Sequence, residues 1–231
     1  MVADGPQLIR RPQPRGLETR RDLLEAALCE FASVGFEAAS TRAIATRAGV
    51  RQGQLTYQFP TKDLLWRATV DHLFERFDAE VAAALELRNT PIGDDPVATF
   101  EVGIRALVRA VAKLPELNRV MVHEATEDSQ RLRWIVDTHV RQRFDQMSEL
   151  WQQLGACGAT HIEAEPVLMY YCLLGAASLM YVNAPEARLL MGGRPTSAAA
   201  MDARVDAHAD VLIAMVLGPK HLRGAVRGES S

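Results

Sequence analysis

A helical repeat of apolar residues runs through almost the whole chain, and it most limits what the chain can fold into. In the first predicted helix, Leu24, Ala27, Leu28 and Phe31 follow the i, i+3, i+4, i+7 spacing of an amphipathic helix, and we expect Gly35 to end it. No segment alternates apolar and polar residues with the period of two that a half-buried strand requires. The sequence therefore predicts an all-α fold.

The same spacing continues along the chain and is interrupted by Pro- and Gly-containing turns. It predicts further helices at about 41–48, 52–58, 62–87, 97–114, 116–127, 132–155, 163–182 and 198–217, with a loop at 183–197. Both ends of the chain are poor in apolar residues and rich in Gly, Pro, Arg and Ser. Residues 1–14 and 218–231 are therefore predicted to be flexible tails, the first of them basic.

Composition excludes several classes of protein. Hydrophobic residues make up 48% of the chain and charged residues 24%, which is typical of a soluble globular protein. The three cysteines have no CxxC spacing, so neither a disulfide framework nor a zinc site is expected. The N-terminus has no apolar signal segment, and the longest apolar run, 167–182, is short for a membrane span. We expect a cytoplasmic protein without a membrane segment.

The formal net charge of −3 is unevenly distributed. Residues 1–70 contain ten Lys and Arg and seven Asp and Glu, a net charge of +3, so the remaining 161 residues carry −6. A basic N-terminal part on an acidic body suggests an anionic partner at one end.

Residues 40–60 have the pattern of two short helices joined by a tight turn. Ser40 is a good N-cap for the first helix, Gly49 can adopt the left-handed conformation of the turn, and Val50 can pack against the core. This arrangement is a helix-turn-helix, whose second helix can enter the major groove of DNA. By spacing alone, an ordinary helix hairpin inside an α-helical protein remains an alternative.

The second of these helices is polar and has no acidic residue. Gln and Arg side chains can pair with adenine or guanine edges, and Thr can contact a thymine methyl group or a phosphate. Arg42, Arg47 and Lys62 flank the helix with positive charge, which suits a polyanion.

From Glu18 to Leu65 the chain resembles the DNA-binding domain of the TetR family of transcriptional regulators. The motifs that carry the resemblance are Leu24 to Phe31, Gly35-Phe36, Ile44-Ala45, Ala48-Gly49-Val50, Gly53-Gln54-Leu55, Phe59-Pro60 and Thr61-Lys62-Asp63-Leu64. Three positions depart from the usual pattern. Arg51 replaces the usual Ser or Thr, Thr56 with Tyr57 beside it stands where a tyrosine is common, and Gln58 replaces the frequent His or Tyr.

The resemblance implies a homodimeric, ligand-responsive regulator that binds a palindromic double-stranded operator and is released by a small-molecule effector. It implies a DNA-binding domain at 15–60 and an effector-binding and dimerisation domain at 61–217. The helix that starts at Lys62 would link the two. We expect a repressor, and an activator of the same architecture is the main alternative.

Three sets of residues follow from this interpretation. The predicted DNA-binding residues are Ser40, Thr41, Arg42, Arg51, Gln52, Gly53, Gln54, Thr56, Tyr57 and Lys62. The predicted effector-binding residues are Phe100, Ile104, Met121, His123, Met147, Tyr170 and Tyr171. The predicted dimer interface, on the last two long helices, contains Gly175, Ala176, Ser178, Leu179, Val205, Leu212 and Val216.

One motif favours a different class of protein. His123, Glu124 and Glu127 come close to the HExxH motif of zinc proteases, but Glu127 replaces the second histidine. On a continuous helix His123 and Glu127 would share a face, and His139 lies on the next helix. A metal needs three converging ligands, so we expect surface hydrogen bonds or a cavity lining here instead. No metal, no cofactor and no catalytic residues are predicted, and a helical enzyme or interaction module remains a remote alternative.

Overall fold

A computed structural model describes residues 14–86, 95–192 and 198–218, and every regular element in these ranges is a helix. The helices are α1 Pro14–Ala38, α2 Thr41–Arg47, α3 Gln52–Gln58, α4 Lys62–Glu86, α5 Pro96–Lys113, α6 Pro115–Glu124, α7 Gln130–Ile135, a π-helical turn Val136–Val140, α8 Arg141–Ala156, α9 Pro166–Val182, α10 Ala184–Leu190 and α11 Ala198–Leu217. The all-α prediction is confirmed. The two predicted tails lie outside the described residues, except for Pro14 and Gly218.

The chain divides into two compact units, Met1–His72 and Leu73–Ser231. The domain boundary predicted from the sequence lies after residue 60, twelve residues earlier. The first turns of α4 belong to the first unit because their apolar side chains are buried there: Trp66 is 1% exposed, and its ring lies edge-on to Phe36 with centroids 6.1 Å apart. The functional roles of the two parts remain predictions.

The core of the first unit forms around the apolar stripe of α1. Leu23, Leu28 and Phe31 are almost fully buried, as the helical spacing predicts. Gly35 interrupts α1 with φ 75° and ψ 175°, a conformation that is unfavourable for residues with a Cβ atom. The break turns Phe36 back onto Phe31, and the two rings stack with centroids 6.1 Å apart.

The core of the second unit collects residues from helices that are distant in sequence. Its buried members are Phe100, Ile104, Val108, Val111, Trp151, Leu154, Met169, Leu173, Ala177, Tyr181, Val205, Ala209, Leu212, Ile213, Val216 and Leu217. Two ion pairs cross from α5 to α11 beside this core. The buried Arg105 donates to Asp210, and one turn further along α5 the Nη2 of Arg109 lies 3.1 Å from Asp206 Oδ1.

The predicted long helix at 132–155 is interrupted. Its middle, Val136–Val140, is a π-helical turn, which accommodates an extra residue and cannot be read from apolar spacing. His139 in this turn stacks on Phe74, with ring centroids 4.3 Å apart and planes at 1°. Trp134 meets the same imidazole edge-on at 5.3 Å.

The segment predicted as a loop at 183–197 contains α10. Pro185 stands in the first turn of this helix, where a proline costs no intrahelical N–H bond, so its presence does not require a loop. Among the described helices, no single one is long and apolar enough to cross a membrane. The helices α9 and α10 reach that length and apolarity only together, and they are bent by 76° at their junction.

Candidate nucleic-acid interface

The turn between α2 and α3 is built by local hydrogen bonds. Ser40 caps α2, since its Oγ accepts from the backbone N–H of Ala43 at 3.4 Å. Gly49 has φ 70°, and the N–H of Val50 reaches back to the carbonyl of Ala45 at 3.0 Å. A left-handed residue with such a backward bond is a typical helix C-terminus, so α2 ends here and α3 can start in a new direction.

The start of α3 is capped in an unusual way. Arg51 occupies the N-cap position, and its side chain cannot accept a hydrogen bond. The side chain of Gln54 instead folds back, and its Oε1 accepts from the backbone N–H of Arg51 at 3.0 Å. The lack of a side-chain N-cap at Arg51 is therefore offset in part by Gln54.

Two apolar side chains hold α3 against the rest of the first unit. Leu55 is 2% exposed and Phe59 is 4% exposed, and the guanidinium of Arg20 lies 4.5 Å from the centroid of the Phe59 ring. Tyr57 on the other side of the helix is 89% exposed. The remaining predicted contacts on and before α3 are also exposed: Arg51, Gln52, Gly53, Gln54 and Thr56.

An open cleft of about 450 Å³ lies between the start of α2, α3 and the start of α4. It brings together five predicted DNA-binding residues, and these are Ser40, Thr41, Gln52, Thr56 and Lys62. Within it, Nε2 of Gln52 and Oγ1 of Thr41 are 3.2 Å apart. A second open groove, lined by Arg42 and Arg47 among others, runs along α2.

Lys62 is more constrained than the sequence suggests. Its Nζ donates to the backbone carbonyl of Glu37 at 3.1 Å and lies 4.7 Å from the centroid of the Phe36 ring. An ammonium group has three N–H donors, so this bond leaves capacity for a further acceptor. The lysine thus ties the start of α4 to the end of α1 while lining the cleft.

The electrostatics of this surface favour an anion. Residues 40–60 contain no Asp or Glu. Two nearby carboxylates have partners of their own: Glu30 accepts from the N–H of Ser40 at 3.2 Å, and Asp63 accepts from Arg67 at 2.9 Å. Exposed Arg, Gln, Thr and Tyr side chains in such a setting suit contacts to phosphates and base edges.

The predicted effector-binding residues come together only in part. Phe100 and Ile104 are packed in the core of the second unit, and Met147 lies against that core. Tyr170 is half-buried and meets Phe144 edge-on at 5.5 Å, and burial raises the pKa of its hydroxyl, with a smaller contribution from Tyr171.

Two members of that set are exposed, which does not suit the lining of an enclosed pocket. His123 is exposed at the end of α6, and Tyr171 is 66% exposed on α9. The apolar spacing did not reveal which side of α9 faces the core, because this helix is apolar nearly all round. Met121 is half-buried on α6.

The predicted dimer interface also needs correction. Gly175, Ala176 and Leu179 are exposed on α9, whereas four predicted members are buried within the chain: Ser178, Val205, Leu212 and Val216. The hydroxyl of Ser178 accepts from Asn118 Nδ2 at 2.8 Å. The other three belong to the core of the second unit because the apolar stripe of α11 faces α5 and α9.

The exposed apolar face of these helices contains other residues. On α9 it comprises Leu168, Tyr171, Gly175 and Leu179, and on α11 it comprises Val211 and Met215. Each set repeats at three to four residues, which places its members on one side of a helix. We call these residues the outer α9–α11 face.

A histidine links the two helices beside this face. His208 Nε2 lies 3.0 Å from the carbonyl oxygen of Ala176, and its Nδ1 lies 3.2 Å from the hydroxyl of Tyr181. The neutral imidazole therefore donates from Nε2 and accepts from Tyr181. Burial lowers the pKa of His208, opposed by its bond to Ala176, and raises the pKa of Tyr181 to about 12.

The near-HExxH motif does not form the arrangement that its spacing suggested. Helix α6 ends at Glu124, so Glu127 lies beyond the helix and does not share a helical face with His123. Glu124 is buried and accepts from Arg131 Nε at 3.0 Å. Over the part of the chain that the structure describes, no three His, Cys, Asp or Glu side chains converge on a possible metal position.

Sequence reasoning missed the polar contacts inside the second unit. The pairs that join Arg105 to Asp210 and Arg109 to Asp206 had a signal, because each helix carries its two charges at i and i+4 within an apolar segment. The Tyr181–His208 contact had none, since only the packing of α9 on α11 brings the two together.

Comparison with known proteins finds a family match in the first unit. Residues 23–69 match the family model described as bacterial regulatory proteins, tetR family. The HTH-type transcriptional repressor KstR of Rhodococcus jostii is 29% identical over 146 residues, which cover 63% of this chain and 62% of that protein. KstR of Mycolicibacterium smegmatis is 36% identical over 104 residues, or 45% of this chain and 48% of that protein. The chain thus spans about half to three fifths of the length of these relatives.

Solved structures show the same fold. A structure of AibR in complex with isovaleryl coenzyme A and operator DNA superposes with a TM-score of 0.65 at 20% identity, covering 87% of this chain and 99% of that one. A TetR-like transcriptional regulator from Rhodococcus sp. RHA1 gives a TM-score of 0.60 at 22% identity, covering 92% and 100% of the two chains.

Proposed function

We propose that this chain, which belongs to the TetR family, is a transcriptional repressor that binds a palindromic DNA operator as a homodimer and is released by a small molecule. The observation that carries the proposal is the acid-free surface of α2 and α3, where five predicted DNA-binding side chains line one cleft. The KstR relatives are repressors by name, and this supports repression over activation.

The surface divides into two kinds of contact. Arg42, Arg51, Thr56, Tyr57 and Lys62 are proposed to contact phosphates, which fix the position of the protein on the duplex. Gln52 and Gln54 are proposed to read base edges, since they stand exposed on the helix that would enter the major groove.

The dimer follows from the geometry of DNA. Two helix-turn-helix motifs that read a palindrome must lie about one helical turn apart, roughly 34–36 Å, which requires a stable pair of subunits. The outer α9–α11 face is the proposed contact because it exposes large apolar side chains, among them Leu179 at 60% and Met215 at 60%. Gly175 lies within this face and lets a second backbone approach closely.

Gly175→Leu tests this contact. Apart from the backbone of its own helix turn and its chain neighbours, no atom of the described residues lies within 4 Å of a Cβ atom added at Gly175, so there is open space for a side chain to start. Sedimentation of the variant should give a monomer, while the wild type gives a dimer at micromolar concentration. Gly103→Leu, at an exposed helical glycine of α5 with the same open surroundings, is the matched control and should stay dimeric.

The effector is proposed to bind within residues 61–217. AibR, which shares the fold, has been crystallised with both isovaleryl coenzyme A and operator DNA. In this chain the half-buried Met121, Met147 and Tyr170 are the remaining candidates from the sequence, and they favour a lipophilic ligand with a hydrogen-bonding group. Tyr170→Ala should leave operator affinity unchanged and raise the effector concentration needed for release.

A cytoplasmic location and a non-enzymatic role are part of the same proposal, since the named relatives are transcriptional regulators. An activator of the same architecture would make the same contacts to DNA. A reporter gene behind the operator separates the two, because a repressor lowers its output and an activator raises it.

Footprinting of the purified chain on genomic DNA from its source tests the proposal. We expect protection of a palindrome whose half-sites lie about 10–10.5 base pairs apart, or a multiple of that distance. Uniform, weak protection that disappears with moderate salt would contradict it, because non-specific binding has that signature.

A further inference from the structure

We propose that Arg20 on helix α1 is a further DNA-binding residue, whose guanidinium contacts a phosphate at the edge of the cleft between α2, α3 and α4. This inference rests on the proposed function and extends the DNA-binding surface from the helix-turn-helix to the helix before it. Arg20 is not among the DNA-binding residues predicted from the sequence.

Arg20 lies against an aromatic ring at the end of the second helix of the motif. Its Cζ atom is 4.5 Å from the centroid of the Phe59 ring. Phe59 is the C-cap residue of α3 and lines the same cleft as Gln52, Thr56 and Lys62. The distance from the charge to this wall of the cleft is shorter than the electrostatic screening length, about 8 Å at physiological salt. The ring contact therefore holds a cation where a phosphate in the cleft is attracted by it.

The charge of Arg20 is not neutralised by its surroundings. The residues three and four positions away on α1, where a helical ion pair would form, are all uncharged: Gly16, Leu17, Leu23 and Leu24. Among the residues that the structure describes, no carboxylate pairs with the exposed Arg20, and its guanidinium donates no hydrogen bond. A ring contact uses none of the five N–H groups of a guanidinium, so these remain available for an outside acceptor.

The next residue, Arg21, provides the internal contrast. Its Nη2 lies 3.8 Å from Oδ1 of Asp22. Glu18 and Glu25 stand three residues before it and four residues after it, on the same side of the helix. Arg21 is thus surrounded by negative charge, whereas Arg20 lies against an aromatic ring. The two adjacent arginines have the same charge and differ in what lies around them.

A phosphate is the part of DNA that fits Arg20. The planar guanidinium can donate two parallel hydrogen bonds to phosphate oxygens. Arg20 lies on α1, outside the helix that would enter the major groove, so we expect it to contact the backbone and no base edges. Its contribution should be the same for every DNA sequence, and it should depend on salt because each neutralised phosphate releases condensed counterions.

Salt titrations of DNA binding by the full-length chain test the inference. The two probes are a palindrome that the wild type selects from a random duplex pool and a scrambled duplex of the same composition. The slope of log affinity against log salt concentration changes by about 0.9 for each phosphate contact. Arg20→Ala removes one contact from each subunit of a dimer, so the slope should become shallower by about 1.8 on both probes. The loss of affinity should then be about 12-fold larger at about 50 mM than at about 200 mM salt.

Arg21→Ala is the matched control, since it removes the same charge from the neighbouring residue. Its slope should stay within about 0.5 of that of the wild type. Arg20→Lys keeps the charge and should also keep the slope. The melting temperature of each variant checks that α3 is still held in place, and loss of the ring contact should lower it by no more than about 4 °C.

A slope for Arg20→Ala equal to that of the wild type would overturn the inference and leave the proposed function in place. The same change of slope for Arg21→Ala would also overturn it, because only the net charge of the chain would then matter. A loss of affinity confined to the selected palindrome would overturn it as well, since Arg20 would then act by supporting α3. A wild type that binds the palindrome and the scrambled duplex equally would overturn the proposed function itself.

Discussion

Two polar contacts, one in each compact unit of this chain, are built in opposite ways. In the first unit, the bond between Arg51 and Gln54 joins residues three apart, and all the groups involved are exposed. In the second unit, Arg105 pairs with Asp210 across 105 residues, and both side chains are nearly buried, at 5% and 11% exposure. The first arrangement depends on a local sequence pattern, and the second depends on correct packing of distant helices.

This difference has an energetic consequence. An exposed hydrogen bond that is lost is replaced by water, so its removal costs little. A buried charge that loses its partner has no such replacement, so its removal costs much more. The second unit should therefore respond to single polar substitutions more strongly than the first.

Removal of Asp210 is expected to have the largest effect on stability. Asp210→Ala leaves the buried guanidinium of Arg105 without a counter-charge, and we expect the free energy of unfolding to fall by about 3–5 kcal/mol. Among the residues that the structure describes, the Nε of this buried guanidinium has no hydrogen-bond partner either. Denaturant titration followed by tryptophan fluorescence measures the change.

The double variant Arg105→Met, Asp210→Leu is the control. It removes both charges and keeps the space filled, so its free energy of unfolding should lie within about 1 kcal/mol of the wild type or above it. If Asp210→Ala alone costs less than about 1 kcal/mol, the pair is solvated and the contrast between the units fails.

The turn of the helix-turn-helix offers a conformational test in the first unit. Gly49→Ala should cost about 1–2 kcal/mol because φ is 70° and an alanine is strained there. Apart from the adjoining residues, no atom of the described chain lies within 4 Å of the added Cβ, so the cost is conformational and does not come from a clash with other residues.

Gly53→Ala is the matched control in the same motif. It adds the same methyl group in equally open surroundings, but inside helix α3, where alanine is favoured. Its free energy of unfolding should rise by about 0.5–1 kcal/mol. Equal effects of the two substitutions in thermal melts would mean that the backbone of the turn does not depend on glycine.

Each unit has a helix with a side-chain N-cap, so the cost of removing the cap can be compared between the units. Asp95 caps α5 and accepts from Val97 N at 2.9 Å and from Ala98 N at 3.3 Å, whereas Ser40 accepts from Ala43 N at 3.4 Å only. Alanine at an N-cap costs about 0.5–2 kcal/mol, and we expect Asp95→Ala near the upper end and Ser40→Ala near the lower end. The reverse order in chemical denaturation would show that cap geometry does not control these helices.

A pH titration of stability gives the smallest effect. The pKa of His208 is lowered below its ordinary value of 6.5, so the unfolded chain takes up the proton first as the pH falls. The contribution of this histidine is complete above pH 6.5 and is lost as the pH decreases below it. Protonation also removes the acceptor for Tyr181, since both ring nitrogens then donate.

His208→Gln should flatten the decrease of the melting temperature between about pH 6.5 and pH 5, with the wild type measured in parallel. At the alkaline end, the raised pKa of Tyr181, about 12, means that stability falls as the pH rises above 10, where the unfolded tyrosine ionises first. A variant profile identical to that of the wild type in acid would show that His208 does not contribute.

The sequence predicts the first unit better than the second, because local contacts can be predicted from neighbouring residues and contacts between distant helices cannot. In the first unit, Ser40 and Gly49 have the roles that the local pattern predicts, since caps and left-handed turns are set by near neighbours. The Gln54 bond to Arg51 was not predicted, although the absence of an acceptor on Arg51 was the signal for it.

In the second unit, the helices were predicted well but their faces were not. Val205, Leu212 and Val216 were assigned to a subunit interface and are core residues, because helical spacing identifies an apolar stripe without saying what covers it. Two elements were not predicted. The π-helical turn at Val136–Val140 depends on contacts with other helices. Helix α10 begins with a proline in its first turn, and prolines are also typical of loops.

The measurement that tests the account most directly is the ratio of affinities for the selected palindrome and for a scrambled duplex, by fluorescence anisotropy at fixed salt. We expect the wild type to prefer the palindrome by at least about 10³-fold and Gln54→Ala to lower that ratio by roughly 5- to 150-fold. Asp128→Asn, at an exposed ion pair of the second unit, should leave it unchanged. Equal affinity of the wild type for both duplexes would contradict the claim that residues 40–60 form a sequence-specific DNA-binding surface.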